Sequence, residues 1–208
     1  MKCKASRGRE CRGYGLVWPN NASRPELYLI PPTKHSPNSP FPVIVYRGAL
    51  LDRTPTGALE AIELSEWAHG GHWKIGGEKV ATTPHYHGTT HEAYTVLQGS
   101  GTYLLDEKRN SVGVKFVAKA GDVFVFPVHS ELRAGVTHYV TETEDDYEII
   151  GFYSLNDRNS MESPYDMEYA LDSIEKTDEK RQMCRQVPVP AHDPIYGTEG
   201  IPRIWREE

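Results

Sequence analysis

Cysteine is scarce: the 208 residues hold three, Cys3, Cys11 and Cys184, odd in number and without a CxxC spacing. A disulfide framework is thereby excluded, and free thiols in a reducing, cytoplasmic setting are expected. No run of about 18 apolar residues occurs, so no membrane span is expected. Positive charge is in deficit: 23 Lys and Arg stand against 29 Asp and Glu, a net charge of −6, which argues against a nucleic-acid partner. The opening "MKCKASRGRECRGYG" is basic but has no apolar core. It is read as a loose basic leader over residues 1–24, ahead of a weak transit peptide, and not as a secretory signal. Without such a signal, the glycosylation sequon Asn21-Ala-Ser23 is read as a chance match.

What the chain does have is hydrophobic content of 38%, 18 glycines and 15 prolines, the composition of a globular domain of short strands and turns. "PELYLI" and "PVIVYRGALL" read as strands. A helix is expected after Thr54, with Pro55 at its first position, an apolar face of Leu59, Ile62 and Trp67, and an end at Gly70-Gly71. From residue 72 to about 155 the pattern is β. "EAYTVLQGSGTYLL" reads as two strands about Gly-Ser-Gly, "VGVKFVAKAGDVFVFP" as two more about Ala-Gly-Asp, and "YEIIGFYSL" as another. This spacing predicts a sandwich or small barrel. A polar loop is expected over 156–175 and a charged surface helix near 174–186. The tail "VPVPAHDPIYGTEGIPRIW" has too many prolines for helix and is expected to wrap the domain in extended form.

The chemistry gathers in "PHYHGTTHE", residues 84–92. Alternation along a strand puts His85 and His87 on one face. A turn over Gly88-Thr89-Thr90 returns the chain so that Glu92, then Tyr94 and Val96, join that face, while His91 points the other way and can support the site from behind. Two imidazoles and a carboxylate suit a borderline divalent metal such as Fe, Mn, Ni, Cu or Zn. His138, in "AGVTHYV", is the candidate fourth ligand. A single histidine would more often be a surface group on a turn; the composite of His-x-His, Glu and a distant Gly-x-x-His is what favours metal. His35, His69, His72 and His192 sit in loop-like contexts and are read as solvated or as local hydrogen-bond partners.

These residues resemble the cupin superfamily. Its first motif is matched by His85, His87, Glu92 and Gly99, and its second by Gly121, Pro127, Gly135 and His138. "HYHGTTHE", "SPFPVIVYRGAL" and the proline-rich tail further resemble the YjlB-type cupins, in a form associated with filamentous fungi. The resemblance spans residues 25–206. It implies a single all-β domain, a double-stranded β-helix or jelly-roll-like barrel with one N-terminal helix and a C-terminal helix plus wrapping tail. It also implies a metal held by three His and one Glu, and a homodimer. Two departures stand out. Six residues, Val128 to Arg133 ("VHSELR"), separate Pro127 from the "AGVTH" that should follow it, so that His138 could be displaced and His129 compete. Six is even, which keeps any extended continuation in phase. The second departure is Glu142, where the family often has asparagine; it opens the acidic run "ETEDD", read as a solvated turn.

Three functions follow as expectations. The favoured one is a metal-dependent, dioxygenase-like oxidoreductase acting on a small organic substrate, with Fe or Mn. The aromatic and apolar walls Tyr94, Val96, Phe124 and Phe126 suit such a substrate, and at least one of the two Phe is expected to serve as barrel core. The second is a metal-dependent sugar isomerase or epimerase, in which Tyr94 would act as a catalytic hydrogen-bond donor; core packing of Tyr94 is the competing reading. The third is a non-catalytic cupin that binds a metal or small ligand.

Overall fold

The computed structural model describes residues 24–33, 38–76, 82–105, 113–129, 134–155, 167–169, 175 and 187–205. The expected leader, polar loop and charged surface helix lie outside these, apart from Arg24, residues 167–169 and Glu175. In chain order the elements are β1 Glu26–Tyr28, β2 Val43–Tyr46, α1 Pro55–Ala61, β3 Trp67–Ile75, β4 His85–His87, β5 Glu92–Leu105, β6 Val114–Lys119 and β7 Val123–Phe126. They continue with β8 Val128–His129, β9 Ala134–Gly135, β10 His138–Ser154, β11 Met167–Tyr169 and α2 Ile201–Ile204. The described residues are mostly β, in a jelly-roll arrangement.

Among the described residues one antiparallel sheet holds nine strands, in the order β1-β2-β7-β5-β10-β4-β11, with β3 added to β10 and β6 to β5. Its spine is the pair of long strands β5 and β10. The first part of β5 pairs with β7, from Glu92↔Phe126 to Thr95↔Val123, and its last part pairs with β6, from Ser100↔Lys119 to Leu105↔Val114. The expected break at Gly-Ser-Gly is therefore a bend within one strand. Gly99 has φ +68°, and a Cβ there would collide with the carbonyl oxygen of Glu144 and come within 2.6 Å of that of Asp145. Asp145 and Asp146 have φ of 56° and 54° where the register of β10 slips. The run "ETEDD" is thus an exposed, bulged stretch of β10, with Glu142 paired to Thr102.

The bend gives the sheet an inner and an outer face. Alternation sends Val43, Val45, Val96, Phe124, Phe126 and Ile149 inward, where they meet Tyr103, Leu105, Phe116 and Val140 from the other half of the sheet. Their neighbours Ile44, Tyr46, Ala93, Val123, Val125 and Phe152 face outward and are covered by α1 and the C-terminal tail through Ala58, Ile62, Ile201, Ile204 and Trp205. Burial on both faces explains the unbroken apolar runs of β2 and β7. Each such side chain contributes about 1.5–3 kcal/mol.

The helix begins as expected: Thr54 Oγ1 accepts the Gly57 N–H at 3.0 Å and Pro55 leads the first turn. It ends at Ala61, well before Gly70-Gly71. Trp67 opens β3, because residues 67–75 pair along β10 and Trp67 Nε1 reaches the carbonyl of His192. The tail is anchored by Asp193, whose buried carboxylate accepts from the Tyr46 hydroxyl and from the N–H groups of Ile195, Tyr196 and Ile201. The expected extended course is not kept: from Ala191 the tail runs in bends and turns, closed by the bridge of Asp193 with Gly197, and ends in the one turn of α2, where Pro202 sits early enough to lack no bond. No helix among the described residues is long and apolar enough to cross a membrane.

Candidate metal centre

Four side chains converge on the inner face at one end of the barrel. One ligand atom from each of His85, His87, Glu92 and His138 lies within 4.8 Å of the others. β4 supplies the first two, the start of β5 supplies Glu92, and β10 opens on His138, which pairs with both His85 and Leu105. The imidazole centroids stand 5.4 Å apart for His85 and His87, 4.5 Å for His85 and His138, and 5.7 Å for His87 and His138. β4 is held by β10 and β11, not by β5. Glu92 therefore joins the cluster across the barrel wall and not through a simple hairpin with the His-x-His strand.

Backbone carbonyls set the tautomers. His85 Nδ1 lies 2.8 Å from Thr83 O and His138 Nδ1 lies 2.8 Å from Val136 O. A carbonyl only accepts, so each Nδ1 carries the proton and each Nε2 is turned toward the cluster. Glu92 Oε2 stands 3.0 Å from His138 Nε2 and 3.1 Å from His87 Nε2. His87 is 3% exposed, yet neither of its ring nitrogens has an aligned hydrogen-bond partner. Buried polar atoms are normally satisfied. Nitrogen lone pairs facing a carboxylate oxygen at these distances require a cation between them, a proton or a metal ion. Three imidazoles and one carboxylate could hold a divalent metal of the borderline class.

The electrostatics agree. Burial, reinforced by the neighbouring His138 and His87, pushes the His85 pKa down to about 3, so that its imidazole is neutral at ordinary pH. Burial opposes the charge on Glu92, but the attraction of His87 and the hydrogen bond from His138 prevail and hold it well below the usual carboxylate range. The Tyr94 hydroxyl is pushed well above its ordinary value by burial and then by the charge of Glu92. It stays a protonated donor.

The residues 128–133 do not displace His138. β8 and β9 pair with each other, Val128↔Gly135 and His129↔Ala134, in a two-stranded sheet separate from the nine-stranded one, so the chain entering the extra segment and the chain leaving it stand side by side. The base of the segment is closed by the Val136 N–H to Pro127 O bond at 3.4 Å. Gly135 backs onto β4 so closely that a Cβ there would collide with the His87 carbonyl oxygen. His129 takes part through its backbone pairing; its side chain lies outside the described residues. His91 points to the outer face. Its Nδ1 accepts the Val128 N–H at 2.9 Å, its Nε2 donates to Pro188 O at 3.1 Å, and its ring lies 4.9 Å from that of Trp205.

The walls are aromatic. Phe126 covers His138, and Phe124, Tyr94 and Tyr103 follow in mutual contact. Both Phe belong to the barrel core. Two further rings, Trp73 beside Tyr94 at 6.1 Å and Tyr153 beside His87 at 5.6 Å, were not visible as site residues in the sequence. Their place depends on the register of β3 on β10, for which the only local signal is the run of glycines at 70 and 71.

Residues 80–170 match the family model described as Cupin. No curated protein matches the chain. Among solved structures it is similar to the WlaRB TDP-quinovose 3,4-ketoisomerase from Campylobacter jejuni, at 9% identity and a TM-score of 0.36 over 52% of this chain and 72% of that one. It is also similar to the QdtA 3,4-ketoisomerase from Thermoanaerobacterium thermosaccharolyticum, at 13% identity and a TM-score of 0.38 over 59% and 75%. A third is the capsular polysaccharide assembling protein CapF from Staphylococcus aureus, at 15% identity and a TM-score of 0.33 over 76% and 32%. Likeness at this level says nothing of substrate or reaction.

Proposed function

We propose that the protein is a metal-dependent enzyme that uses O2 to oxidise a small organic substrate, a dioxygenase-like oxidoreductase of the YjlB-type cupins. His85, His87, Glu92 and His138 would hold the metal, and Fe or Mn, when bound, would supply the chemistry of O2 reduction. The observation that carries the proposal is the pairing of a three-His, one-Glu cluster with an aromatic wall. No lysine or arginine is buried among the described residues, which disfavours a phosphorylated substrate. In this reading Tyr94 donates its hydroxyl proton to a substrate oxygen as a hydrogen bond, Phe124 and Phe126 exclude water, and the Thr83 and Val136 carbonyls keep Nε2 of His85 and His138 aimed inward.

The position of Tyr94 also favours a second reading. A phenol held against the Glu92 carboxylate can serve proton transfer in a metal-dependent isomerase or epimerase. Elemental analysis of protein purified without chelators, followed by oxygen uptake on a panel of phenols and enols, tests the first. Near-stoichiometric iron or manganese with substrate-dependent uptake supports it. Turnover under anaerobic conditions with solvent deuterium entering the product would move the assignment to the isomerase. Ligand binding without turnover under any metal would leave a binding protein.

A further inference from the structure

Beside the cluster, the sheet carries a gap made by glycine. Gly70 and Gly71 of β3 lie at the slip in register where Gly71 stands opposite Gly151 of β10. A Cβ on Gly71 would lie 2.5 Å from Cζ2 and 2.8 Å from Cη2 of Trp73. One on Gly151 would lie 2.6 Å from Cζ3 of Trp73 and 3.0 Å from Cε1 of Tyr94. One on Gly70 would collide with the Tyr153 ring. Glycine weakens a strand, and here three of them clear the space in which two aromatic rings lie back over the sheet. Trp73 meets Tyr94 edge-on at 6.1 Å, and Tyr94 stands two residues from Glu92 on the same face of β5. Trp67 and Trp205 are fully buried, whereas Trp73, Tyr94 and His85 keep part of their surface in solvent.

We infer that Trp73 is a specificity-determining residue, the wall against which the flat skeleton of the substrate lies, and that the substrate is a planar phenol or enol bound through its oxygen. The inference rests on the metal-enzyme reading above. The indole face prefers a flat π system. Three neutral imidazoles and one carboxylate leave a divalent ion with surplus positive charge, which favours an oxygen that arrives as phenolate or enolate. Among the described residues, no buried cation offers a phosphate or sugar acid an alternative anchor.

The test uses full-length protein loaded with Co(II) and two probes followed by visible spectroscopy: 4-nitrocatechol, a planar diol, and azide, a small ion with no ring. Trp73→Ala is expected to weaken 4-nitrocatechol by about 10-fold and to leave azide within about 2-fold, with Trp73→Phe recovering most of the loss. Gly151→Ala, which drives the indole from its place, is expected to act on 4-nitrocatechol alone and carries the test if Trp73→Ala does not fold. Unchanged 4-nitrocatechol affinity in Trp73→Ala, or in Gly151→Ala where Trp73→Ala does not fold, overturns the inference while a normal azide spectrum keeps the metal site. Wild-type protein that retains no cobalt and answers to neither probe overturns the metal reading, and this inference with it.

Discussion

Phe126 lies flat on His138, with ring centroids 3.8 Å apart and planes inclined by 7°. One whole face of the imidazole is thereby closed to water. The Val136 carbonyl holds its Nδ1 and the ring plane is set from both sides. The stretch from Gly121 to His138 thus supplies the last candidate ligand together with the surface that orients it.

That stack predicts a separation of stability from metal binding. Phe126→Leu keeps an apolar side chain in the core and is expected to cost about 1–2 kcal/mol in a denaturant titration. It frees the His138 ring, so affinity for Co(II), measured by absorbance titration, is expected to fall about 10-fold. Unaltered affinity would show that the stack does not orient the ligand.

The ligand assignment predicts unequal histidines. His85→Ala together with His87→Ala is expected to abolish metal retention after dialysis. His91→Ala removes the acceptor of the Val128 N–H and the donor to Pro188 O, and is expected to cost about 1–3 kcal/mol of stability while metal binding is only weakened. Complete loss of metal in a folded His91→Ala protein would contradict the division of inner and outer faces.

Metal should also stabilise the fold. An ion that binds the native chain alone, at 100 times its dissociation constant, adds about 2.7 kcal/mol. The melting temperature is expected to rise with added Fe(II), Mn(II) or Co(II) and to fall with EDTA, with the double histidine variant insensitive to both. A wild-type melting curve indifferent to metal and chelator alike would remove the cluster from consideration as a metal site.

The hairpin of β8 and β9 is expected to be dispensable for the metal. Deletion of Val128 to Arg133 joins Pro127 to Ala134, whose N–H can take over the bond to His91, and His138 remains placed by β10. Equal metal content in the shortened and full chains is the expected result of elemental analysis. Loss of metal only in the shortened chain would give the hairpin a part in holding the site.

Asp193 is expected to control the tail. Asp193→Ala leaves three N–H groups and the Tyr46 hydroxyl without their acceptor, a cost of about 3 kcal/mol or more. Limited proteolysis is expected to cut the variant within residues 187–205 before the barrel. Wild-type resistance in this variant would place the anchor elsewhere, in Trp205 and its bond to the Pro42 carbonyl.

The site was legible where its logic is local. Period-two alternation places His85 with His87, Glu92 with Tyr94 and Val96, and turns His91 away, because a strand's geometry is the same wherever it lies. The start of α1 was legible for the same reason, since Thr54 caps its own first turn. The end of that helix was not. Trp67 and the glycines at 70 and 71 continue a helical pattern in one dimension, yet β10 offers their backbones a ladder nine residues long. The Gly-Ser-Gly at 99–101 likewise carries the composition of a turn, but Glu144 and Asp145 lie across from it and make it a bend.

Residue types and their spacing decided the donor set of this protein, its glycine positions and the phase of each strand, since these depend on chemistry and on neighbours a few residues away. Only the tertiary structure decided that β4 reaches Glu92 across the barrel, that β8 and β9 pair apart from the main sheet, and that Trp73 stands against Tyr94 and Tyr153 against His87. Except for the β8–β9 pair, those facts rest on pairing between segments about 50 to 90 residues apart, and a change of one residue in that register would turn the same side chains to the opposite face.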